Sequence, residues 1–100
     1  MSQREEALQR TEKEILAEKA ATVGRAGERL EVALALVAER RHALERAIDG
    51  AVRAAALASY RQARARALDA RHTLVIQREA NGLRNHRIVD QQFPEPPALV

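Results

Sequence analysis

This sequence is expected to form an all-α protein: a helical hairpin with one long, Ala-rich, coiled-coil-like helix, assembling into a dimeric helical bundle. A compact three-helix bundle is the alternative. Three observations carry that expectation. Ala, Leu, Arg, Glu and Gln dominate the composition, and all are good helix formers. The β-branched residues are scattered and never alternate over the length of a strand. From Leu30 to Ile48 the apolar residues recur at heptad spacing.

The first helix is expected over about 3–23. Ser2 with Glu5 three residues on reads as a capping box, in which each side chain satisfies a backbone N–H at the helix start. Gly24-Arg25-Ala26-Gly27, with two helix-disfavouring glycines three apart, reads as a turn over 24–27. A long helix over about 28–80 follows. Its seam steps through Leu30, Leu34, Val37, Arg41, Leu44 and Ile48 by four, three, four, three and four residues. Gly50 is the doubtful point in that helix. A glycine could end it, but no Ser, Thr, Asp or Asn follows to cap another. The seam also continues through Val52, Ala56, Tyr60, Ala63, Ala67, Ala70, Leu74 and Arg78 with a stutter, so a continuous helix is favoured over a break.

Asn81-Gly82-Leu83 is the expected terminator, with Gly82 suited to the left-handed position of a Schellman motif. Residues 1–83 thus read as a single helical domain. Residues 84–100 read as a short helix presenting Ile88 and Val89, then a Pro-rich tail from Phe93 that must be extended because prolines forbid helix.

Folding the first helix back at 24–27 would set Leu8 opposite Leu44, Ile15 opposite Val37, Leu16 opposite Leu34, and Glu12 opposite Arg41. A charge pair inside an apolar seam specifies register more than it adds stability. Arg53, Arg64, Arg71 and Arg78 fall within about 40° of one another on a helical wheel, flanked by Tyr60, Leu57, Leu74 and Val75. That stripe suits pairing with acidic groups such as Glu5, Glu6, Glu14 and Glu18 of another subunit. Nucleic acid is the less favoured partner, because Tyr60 alone could stack on bases. Phe93 beside Pro94-Glu95-Pro96-Pro97 is expected to rest on the parent fold or a neighbouring subunit, while the P-x-x-P spacing also fits a polyproline ligand.

No catalytic site, cofactor or metal is expected. Glu39 with His42 and Asp69 with His72 have the carboxylate-x-x-His spacing of bundle metal sites. The first pair lies roughly 120–180° from the helix seam, and the second sits off the Ala63, Ala67, Ala70 and Leu74 line, where a solvated surface is the expectation. Ser59 has no evident base, and there is no Cys to act as a nucleophile or thiolate ligand. No run approaches the roughly 20 apolar residues of a membrane span, and the N-terminal residues lack a leader's apolar run, so a cytoplasmic location is the default. The excess of Arg (15) over Lys (2), with 21 Ala, suggests a GC-rich bacterial origin. Residues 1–52 carry −1 and residues 53–100 carry +4, an asymmetry that can serve pairing or mark one end for an anionic partner. The function expected is therefore that of a non-enzymatic helical interaction protein working through self-association, with nucleic-acid association by the Arg-rich half as the alternative.

Overall fold

Asp49 decides where the chain turns. In the computed structural model, which describes residues 2–100, its backbone is extended and its Oδ1 accepts from the N–H groups of Ala51 (2.9 Å) and Val52 (3.1 Å). Those are two of the donors that a helix start leaves without an intrahelical partner. Helix α1 is Gln3–Arg46, α2 is Gly50–Ala80 and α3 is Arg87–Gln92. No strand is present among the described residues. The bend between the long helices is therefore residues 47–49.

The expected turn over 24–27 and the single helix over 28–80 are both corrected by this arrangement. Gly24 and Gly27 lie inside α1. Each costs a helix about 1 kcal/mol relative to Ala, too little to break it where Ala26 and Leu30 bury themselves on the partner helix and no capping residue starts a new one. The break falls instead before Gly50, because the capping side chain precedes the glycine. The proposed opposition of Glu12 and Arg41 is corrected with it. Both lie on α1, 29 positions apart or about 43 Å along the axis.

The all-α hairpin itself is present. α1 and α2 pack antiparallel, with steps of seven on each: Leu30, Val37 and Leu44 on α1, and Tyr60, Ala67 and Leu74 on α2, all buried. Leu44, Val37, Tyr60, Ala63 and Ala67 form one cluster nearer the bend. Ala26, Leu30, Leu74, Val89 and Phe93 form the other. The small residues Ala63 and Ala67, expected in the continued seam of the long helix, lie inside the hairpin, where they let two helices approach closely. Ile48, expected in the seam, is 98% exposed at the bend.

α2 ends in the expected Schellman motif. Leu83 N–H bonds to the Arg78 carbonyl and Gly82 N–H to the Glu79 carbonyl, both at 2.9 Å, with Gly82 at φ 78°. The chain then reverses. α3 lays Val89 against Ala26, Leu30 and Leu74, and the tail runs back along α2 towards the bend. Two helices alone bury only one stripe each. Val89, Phe93 and Leu99 supply the third side of the core.

The helices differ in length by 13 residues, about 20 Å at 1.5 Å per residue. The molecule is accordingly a rod of 73 × 20 × 15 Å. It is the first helix that is the longer and overhangs, whereas the sequence led to a longer second helix over 28–80. No described helix is long and apolar enough to cross a membrane.

Candidate interaction surfaces

The arginine face of α2 holds the C-terminal tail. Arg71 Nε donates to the Phe93 carbonyl at 3.0 Å, and Arg64 Nε to the Pro96 carbonyl at 2.8 Å. The Tyr60 hydroxyl donates to the Pro97 carbonyl. Arg61 reaches the Leu99 carbonyl at 3.4 Å and Arg53 the Val100 carbonyl at 3.1 Å. Two turns beyond the tail's start, Arg78 donates to the Asn85 carbonyl at 3.1 Å in the loop before α3. The pattern has a simple chemical basis. Three of the five residues 93–97 are prolines, which offer a carbonyl and no N–H, while a guanidinium offers only donors.

Arg71 is the central member, its side chain only 15% exposed. Besides the Phe93 carbonyl it pairs with Asp90, which leaves α3 towards it, and with Glu95 at 3.5 Å. The carboxylates that meet the stripe among the described residues are therefore those of the tail and α3, and not the acidic set of α1. Phe93 is buried against Leu74, Val89 and Leu30, so it rests on the parent fold.

Of the expected interaction residues, Arg53, Tyr60, Arg64, Arg71, Arg78 and Phe93 are thus brought into one assembly. Glu12 and Arg41 are not. Glu12 is exposed on the overhang, and Arg41 turns to Glu45 one turn along its own helix at 3.2 Å. His42 is 3.7 Å from the same Glu45, and no group of three potential metal ligands occurs among the described residues. The sequence pattern does not announce the capping role of Asp49, the contact of Arg61 with the tail, or the pairing of Asp90 and Glu95 with Arg71. Arg61 is one turn from Arg64, and that spacing is the signal that places it beside the stripe. The two acids could not be placed before the path of the tail was known.

A second surface is the arm of α1, residues 3 to about 20, which has no helix opposite it. Its seam continues that of the hairpin and carries Leu8, Ile15 and Leu16 at 57, 46 and 65% exposure, with Glu12 and Lys19 between and beyond them. At its root a cleft of about 320 Å³ lies between Leu16, Ala20, Val23 and Leu83.

Fold and surfaces together define a helical hairpin with a strapped tail and a protruding arm. No known protein-family model matches the chain, and neither a curated protein nor a solved structure is similar to it.

Proposed function

We propose that the protein is a non-enzymatic helical interaction protein that self-associates through the arm of α1. One observation carries the reading: the apolar seam runs on past the end of α2 with Leu8, Ile15 and Leu16 in water. An isolated helix of the arm's length, about 27 Å, is marginal in water, so a stable arm favours a covering helix.

A second copy suits the role. Crossing two arms antiparallel about residues 15 and 16 sets Ile15 against Leu16, brings Glu12 to Lys19 of the second copy, and points Leu8 at the cleft beside Val23 and Leu83. Arg64 and Arg71 are engaged with the tail, which speaks against phosphate as the main partner. The bacterial assignment belongs to the same proposal and rests on composition, and the cytoplasmic one is carried with it as an expectation from the sequence.

Light scattering over a concentration series tests it. A mass of twice 11.1 kDa is expected for the wild type at tens of micromolar, and Leu16→Glu should return the monomer with its helix content intact. A wild-type chain that stays monomeric at a millimolar overturns the proposal.

A further inference from the structure

We propose that the α2 face formed by Tyr60, Arg64 and Arg71 is a docking site for an extended proline-rich segment of another protein, with an aromatic residue ahead of the first proline, and that the chain's own tail occupies it in cis. The site lies apart from the α1 arm and does not depend on self-association.

Geometry supports the match. Arg64 and Arg71 are seven positions apart on α2, about 10.5 Å along a helix. The carbonyls they hold, of Pro96 and Phe93, are three residues apart, about 9.3 Å in a polyproline II segment and one full turn of it. Two turns of α-helix thus keep step with one turn of the ligand.

The chemistry selects as well. Arg64 and Arg71 present donors only, and the Tyr60 hydroxyl is used as a donor. A segment with a free N–H at each residue would point some donors at donors. A proline-rich one presents carbonyls without that conflict. The pocket for Phe93, walled by Leu30, Leu74 and Val89, supplies an apolar anchor.

The tail is also held in a way that permits exchange. Among the described residues, no backbone-to-backbone hydrogen bond joins residues 94–100 to the rest of the fold, the last such bond being Phe93 N–H to the Val89 carbonyl at 2.7 Å. Pro94, Glu95, Pro97, Ala98 and Val100 are exposed, and beyond Phe93 only Leu99 packs on the core. A tethered ligand on a short linker competes at an effective concentration on the order of millimolar. A partner segment therefore has to bind well or be present in excess.

The test uses the full chain carrying Phe93→Ala, which empties the anchor pocket in cis, with its helix content checked by circular dichroism. The probe is a fluorescent peptide with the sequence of residues 91–100. Saturable binding is expected, weakened at least tenfold when the peptide's Phe is Ala, and weakened as much when the chain also carries Arg64→Ala and Arg71→Ala. No binding at millimolar peptide to the folded chain, or binding indifferent to these changes, overturns the proposal.

Should Phe93→Ala unfold the protein, a dye on Ala98→Cys in the otherwise native chain, which has no other cysteine, reports the tail directly. Excess unlabelled peptide should lower the dye's anisotropy, and the same peptide with its prolines replaced by Ala should not. An anisotropy unmoved by about 10 mM peptide overturns the proposal, because that concentration exceeds what the tether supplies.

Discussion

Asp49 and Tyr60 show how single side chains set the path of this chain. Asp49 satisfies two N–H groups at the start of α2, and Asp49→Ala should cost about 1 kcal/mol, read as a lower urea midpoint at unchanged slope. Tyr60 is fully buried and spends its one hydroxyl on the Pro97 carbonyl. Tyr60→Phe keeps the ring in the core and strands that carbonyl beside an apolar edge, at a cost of about 1 kcal/mol. The loss should appear as tail mobility, with the backbone NMR order parameters of Ala98 and Leu99 falling while those of α1 hold. Arg71→Ala should loosen the same segment more, since one guanidinium serves a carbonyl and two carboxylates.

At the scale of elements, Gly24 and Gly27 are helical, and a Cβ at either would meet nothing within 4 Å. Gly24→Ala with Gly27→Ala should therefore stabilise the protein, by up to about 1 kcal/mol for each, seen as a higher melting temperature. These glycines also explain what could be read in the sequence. Helix type, the buried line Leu30, Val37 and Leu44, and the Gly82 stop followed from periodicity and local turn chemistry, which neighbouring residues decide. The position of the bend did not. Gly24-Arg25-Ala26-Gly27 and Asp49-Gly50 are both credible breaks, and a penalty near 1 kcal/mol per glycine is smaller than the packing that overrides it. The capping side chain was the better guide. The stripe Arg53, Arg64, Arg71 and Arg78 was legible as a face that needs partners, but their identity as tail carbonyls depends on the reversal at residues 81–86, which no periodicity encodes.

For the whole molecule, the antiparallel register has a kinetic consequence. Contacts across the hairpin span more sequence the farther they lie from residues 47–49: Leu44 and Tyr60 are 16 positions apart, and Leu30 and Leu74 are 44 apart. The cost of closing a loop grows with its length, so the cheapest order of assembly starts at the bend and zips outward, with the third side of the core added last. Leu44→Ala should then act mainly on the folding rate, while Phe93→Ala, acting on a contact made after the barrier, should mainly speed unfolding. Stopped-flow chevrons of the two variants separate the cases, the first displacing the folding limb and the second the unfolding limb. On that ordering, the residues that close the core early and those that determine how long the native state survives lie towards opposite ends of the hairpin.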